Sequence, residues 1–222
     1  GTGIFIEGWT SPIIKHCDIN NNAGDLGGGV HIEGDKYYGN PSNCQPIFEN
    51  IIIKNNTSIT YPGGGVYIGS SSYPIFNNVE ISNNYSGSDG GAIYIQGNNG
   101  STFNNCLIYN NSSWNSGGGI FMNGIGNQRN RATFNNTIIR KNFTSANSTN
   151  YKSGSAILSK ASYIKLNNVT VDSNGTFNNH IPVIEYDDPE INNQSNDSCE
   201  LILTNVIIKD NFGLSINLEK SN

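Results

Sequence analysis

Few residues of this chain are of types that do chemistry, and they are scattered. The one acidic cluster is Glu185, Asp187, Asp188 and Glu190. Its carboxylates could hold Ca²⁺ through oxygen ligands, although a solvated loop is the plainer reading of such a run. His16, His31 and His180 lie far apart. Cleaving a polysaccharide takes paired carboxyl groups, or a base beside calcium-binding carboxylates. Neither an Asp-Asp pair followed by His-Gly nor an Arg-x-x-Arg run beside acids is present. Arg129 and Arg131 flank a turn and read as loop charge. Glycine runs such as Gly27-Gly28-Gly29 invite a phosphate-loop reading, but no Lys-Thr or Lys-Ser follows them. These residues lead us to expect no catalytic residue and no cofactor.

The elements that would position such residues follow from composition. The chain has 222 residues and a formal charge of −5, which argues against a nucleic-acid partner held by a basic surface. No apolar run approaches the length of a membrane-spanning helix. Asn (39) and Gly (26) abound, and Ile (30) outnumbers Leu (8) and Ala (6). Helices favour Ala and Leu, whereas strands favour β-branched residues, so an all-β chain is expected. It opens directly on the strand-like Gly1-Thr2-Gly3-Ile4-Phe5-Ile6. It reads as part of something longer.

Two signatures alternate. One is a glycine cluster followed by an apolar–x–apolar triplet: Gly27-Gly28-Gly29-Val30-His31-Ile32, then copies from Gly63, Gly90 and Gly117, and a weaker one from Gly154. The other runs Phe48-Glu49-Asn50-Ile51-Ile52-Ile53-Lys54-Asn55-Asn56 and returns from Phe76, Phe103, Phe134, Leu166 and Leu203, with a degenerate copy from Ile14. Aligned copies give a column of His16, Asn50, Asn78, Asn105, Asn136, Asn168 and Asn205. Six residues on stands Asn22, Asn56, Asn84, Asn111, Asn142, Asn174 and Asn211. One repeat has too little apolar surface to offset its ordering entropy. Stacked as coils, about 4.8 Å apart, the repeats bury like on like. The pattern predicts a parallel β-helix, a solenoid of about seven rungs forming a single segment over 1–222, regular over 1–175 and irregular over 176–222. Asn at strand ends suits left-handed turns, and stacked amides can bond from coil to coil.

The Gly90-Gly91-Ala92-Ile93 and Gly117-Gly118-Gly119-Ile120 tetrapeptides, alternating with Phe76-Asn77-Asn78 and Phe103-Asn104-Asn105, resemble right-handed β-helix repeat proteins of the cell surface. They are most similar to the repeats of polymorphic outer-membrane proteins, although Asn here follows Phe by two residues rather than three. The resemblance implies a secreted or surface-displayed passenger that adheres to something. The same architecture resembles that of pectate lyases and polygalacturonases, which keeps a carbohydrate-active or glycan-binding alternative open. A third reading is a filament subunit stacking end to end. The expected partners are glycans or another surface protein.

Surface features add candidates. The middle residues of the triplets, Phe5, His31, Tyr67, Tyr94 and Phe121, are expected to point outward as a stacked aromatic stripe, a contact face or a device for strand pairing. A second outward column, Ile52, Leu107, Ile138 and Ile207, is interrupted by Asp18, Glu80 and Thr170. Asn-x-Ser/Thr sequons stand at Asn55, Asn56, Asn84, Asn99, Asn110, Asn111, Asn135, Asn142, Asn147, Asn168, Asn174, Asn193 and Asn196. Loop positions Asn99, Asn147, Asn193 and Asn196 look the better acceptors, since the ladder amides are engaged. Cys17 and Cys106 share a column three rungs apart, roughly 14 Å, too far for a disulfide. Cys44 and Cys199 are too distant as well, and a Cys17–Cys44 link stays open.

Overall fold

A computed structural model describes residues 1–35, 44–97, 99–124, 129–145, 154–176, 182–189, 200–213 and 216–221. Each coil contributes up to four short strands, and every strand pairs in parallel with its equivalent in the next coil. Four sheets result, of eight, seven, seven and six strands. The first carries the triplets: Ile4–Glu7, Val30–Glu33, Val66–Ile68, Ile93–Gln96, Ile120–Asn123, Ile157–Lys160, Ile184–Pro189 and Ile216–Ser221. The second carries the Phe strands, such as Ile75–Asn77. The third carries strands such as Glu80–Ser82, and the fourth two-residue strands such as Tyr85–Ser86.

The register follows the sequence columns. Phe76 pairs with Phe48 and Phe103, and Ile81 with Ile53 and Ile108. Four of the fully buried phenylalanines stack face to face, with centroids 4.6–4.8 Å apart from Phe48 to Phe134. The core is thus one continuous cluster running through the inward columns. Coiling also continues where the sequence pattern blurs. Ile184 pairs with Ile157 and Ile216, and Ile184 is buried.

The two Asn columns divide the work of turning. In the first, His16, Asn50, Asn78, Asn105, Asn136, Asn168 and Asn205 all have φ of 50–54°, the left-handed region that Asn tolerates best among residues with a side chain. In the second, the left-handed residue is the one before the ladder, as at Asn55 (φ 55°), Asn83 (53°) and Asn110 (53°). The ladder Asn itself points inward. Asn84 Nδ2 donates to Asn111 Oδ1 (2.9 Å) and to the Ile53 carbonyl (3.0 Å), while its backbone N–H donates to the same Asn111 oxygen (3.0 Å). The motif repeats from Asn22 to Asn211. It gives buried amides the partners that burial demands.

Glycine allows the closest approach between coils. A Cβ on Gly91 would stand 2.2 Å from the Gly118 carbonyl oxygen and 2.6 Å from the Ser112 backbone. The cluster's leading glycines, Gly27, Gly63, Gly90 and Gly117, have φ of 57–82°.

Candidate contact surfaces

The aromatic column does stack on the outer side of the first sheet. Phe5–His31 centroids are 4.7 Å apart, His31–Tyr67 4.8 Å, Tyr67–Tyr94 5.6 Å and Tyr94–Phe121 5.3 Å. Its exposure differs from the expectation. Tyr67, Tyr94 and Phe121 are buried and His31 nearly so, leaving only Phe5 open. With Leu158 and Leu26 they form a second apolar cluster outside the main core. The cause is local. The left-handed glycines fold each corner back onto the rings, so that a Cβ on Gly90 or Gly117 would meet that of Tyr94 or Phe121 at 2.7–3.0 Å. On the other flank, Asn123 donates to the Tyr94 hydroxyl (2.9 Å), Tyr94 donates to Gln96 (3.1 Å), and the Lys160 ammonium lies 5.3 Å from the Phe121 ring centre. Sequence alternation assigned the side correctly, but could not show what covers it.

Charged groups near this covered column are few. Glu33 lies 3.9 Å from His31 Nε2, and its carboxylate occupies the space a side chain at Gly69 would need. Burial and the Glu33 charge push the Tyr67 hydroxyl well above the usual tyrosine range. Asp89 is raised by burial, against hydrogen bonds from Ser88 and the Ser116 N–H and the nearby Lys160 charge.

The acidic run is not a loop where it is described. Glu185 and Asp187 lie on the first-sheet strand Ile184–Pro189 and are buried, with both Glu185 oxygens accepting from Asn217 Nδ2 at 3.1 and 3.2 Å. In-register pairing with Leu158 and Asn217 draws this segment into the wall. The side chain of Asp188, and Glu190 altogether, lie outside the described residues. No group of three or more metal-binding side chains occurs among the described residues.

Cys17, Cys44 and Cys106 are free, so the Cys17–Cys44 link is not formed. Burial pushes the Cys106 thiol up to about 11 and also raises Cys44. Cys199 and His180 lie outside the described residues.

The sequons separate by burial. Asn56, Asn84, Asn111, Asn142 and Asn174 are ladder residues with at most 1% exposure. Asn99, expected in an open loop, is also buried and donates to the Gly69 and Gln96 carbonyls. Asn135 and Asn168 belong to two outer amide ladders. Asn55 and Asn110 are exposed. Asn147, Asn193 and Asn196 lie outside the described residues.

The surface that sequence reading missed is on the fourth sheet. Thr57, Tyr85, Ser112 and Phe143 pair in register along its outward side. Two residues on, Ile59, Gly87 and Trp114 make matching backbone bonds to the preceding coil. Large and small residues therefore alternate between adjacent columns: Ile59, then Tyr85, then Trp114, with Thr57, Gly87 and Ser112 between. Ile59 and Trp114 are each 61% exposed, Tyr61 54% and Tyr85 38%. The signal was present in the sequence, but strands of two residues show no alternation to read.

A coil of parallel strands on four sheets, with stacked inward columns and amide ladders, defines a β-helix. The family described as right-handed β-helix region matches residues 1–180. The chain belongs to that family, and its coil is right-handed. Compared with curated proteins and with solved structures, it matches none.

Proposed function

We propose that the chain is a structural and adhesive segment of an extracellular or cell-surface protein, a stiff rod that meets its partners through its side and performs no catalysis. The observation that carries this reading is the exposed fourth-sheet patch of Ile59, Tyr61, Tyr85 and Trp114. Half-exposed rings of this size amount to roughly a few hundred Å² of apolar surface, the scale that marks contact sites on soluble proteins. The rod behind it is held by side-chain ladders in every coil, so the patch keeps its shape without a ligand. Surface placement is supported by the motif resemblance to outer-membrane passenger repeats. Glycans and other surface proteins are the partners that aromatic faces of this kind suit, since such rings combine a broad apolar face with a polar edge.

The test is the double variant Tyr85→Ser, Trp114→Ser, made in a bacterial host. Both side chains stand outside the core, so the melting temperature should stay within a few degrees of the parent. Retention on a panel of immobilised polysaccharides and on immobilised copies of the chain should fall at least tenfold. Unchanged retention would remove the patch from the account.

A further inference from the structure

Ten of the thirteen sequons lie among the described residues, and the coil treats them unequally. The folded coil can carry a glycan on an Asn only where the amide can give up its hydrogen bonds and the sugar can stand in solvent. The five internal-ladder residues fail on both counts. Their amides are committed to the next Asn and to the carbonyls of Ile19, Ile53, Ile81, Ile108 and Ile139. Freeing one would leave two donors of its neighbour without an acceptor, at roughly 1–3 kcal/mol each. Asn99 is buried. Asn135 donates to Asn104 and accepts from Asn167, and Asn168, although exposed, is tied on both sides, donating to Asn136 and accepting from Asn205.

Asn55 and Asn110 differ. Each stands one residue before a ladder Asn, at the left-handed turn into the fourth sheet (φ 55° and 53°), and is exposed. The intervening Asn56 and Asn111 point into the ladder, while Thr57 and Ser112, the hydroxyl residues of the two sequons, begin strands on the outward side. Amide and hydroxyl are thus held on the solvent side by a buried residue between them. The two sites sit two coils apart, roughly 9–10 Å. The equivalent Asn83 between them is followed by Asn84-Tyr85 and has no sequon.

We propose that Asn55 and Asn110 are N-glycosylation sites of the folded rod and that the ladder sequons are silent. The donor is a lipid diphosphate-linked oligosaccharide. The bond between its sugar C1 and the diphosphate oxygen breaks, a bond from Asn Nδ2 to C1 forms, Nδ2 gives up one proton, and the lipid diphosphate leaves. The inference rests on the secreted placement proposed above. It is independent of the aromatic patch, whose test uses unglycosylated bacterial protein.

Secretion of the chain from a eukaryotic host tests it. Glycopeptides of the secreted fraction are mapped after enzymatic release, which converts each carrier Asn to Asp. Asn55 and Asn110 should be occupied, and Asn55→Gln and Asn110→Gln should each remove one glycan while the coil still folds, with a melting temperature lowered by a few degrees because Gln tolerates the left-handed φ less well than Asn. Absence of a glycan at either position, or a glycan on Asn84, Asn111 or Asn142 in the secreted, folded protein, would overturn the proposal.

Discussion

Asn111 and Asn105 are the same residue type six positions apart, yet they hold the coil by different physics. Asn111 is buried and feeds both donors of Asn84 while donating to Asn142 and to the Ile81 carbonyl. Asn111→Ala orphans several buried polar groups, each worth about 1–3 kcal/mol, and should lower unfolding free energy by about 3 kcal/mol or more. Asn105 is exposed, and its main service is the left-handed φ of 54°. Asn105→Ala should cost only about 1–2 kcal/mol. Urea melts of the two variants give the comparison, and equal losses would contradict this division.

Among the elements, the glycine corner shows how closely two coils approach. Gly65 shares a column with Ala92, so the coil accepts a methyl group in that column, but a Cβ on Gly65 would stand 2.7 Å from the Ala92 carbonyl oxygen, and Gly65→Ala should fold with a moderate loss of stability. Gly91 faces backbone on the neighbouring coil, at 2.2 Å from a carbonyl oxygen if a Cβ were present. Backbone has no rotamer by which to yield, so Gly91→Ala should separate the strands around it. Thermal melts should place Gly91→Ala below Gly65→Ala, in the order of the two approach distances. The same corner covers Tyr67, Tyr94 and Phe121. A stripe that alternation alone would leave open is thereby a second small core.

The molecule as a whole is nearly one-dimensional, since each strand bonds only to its equivalents one coil away. Stability is then close to a sum over coils and their interfaces. Phe103 stacks between Phe76 and Phe134, at 4.8 and 4.6 Å. Phe103→Ala should cost about 3–5 kcal/mol. Its effect on native-state hydrogen exchange should be local, with lost protection in the strands of residues 75–77, 100–104 and 131–135 and retained protection at 30–33. Uniform loss would mean that the coil unfolds as one unit.

The linear chain by itself determined the coil. A repeated Phe column, a repeated Ile column and two Asn columns at fixed spacing leave few ways to bury like residues, and in-register stacking satisfies them all. The sequence also identified the ladder amides, because identical residues recurring at one position must meet. What only the tertiary structure decided was access. Whether Tyr94 faces water depends on a corner folding back over it. Whether Asn99 or Asn55 is free depends on which carbonyls lie within reach, and whether Glu185 is a loop or a wall residue depends on its pairing with another coil. Ile59, Tyr85 and Trp114 are separated by 26 and 29 residues in the chain and become one surface only when three turns are stacked. Burial is a property of neighbours, and in a solenoid the neighbours come from the next turn.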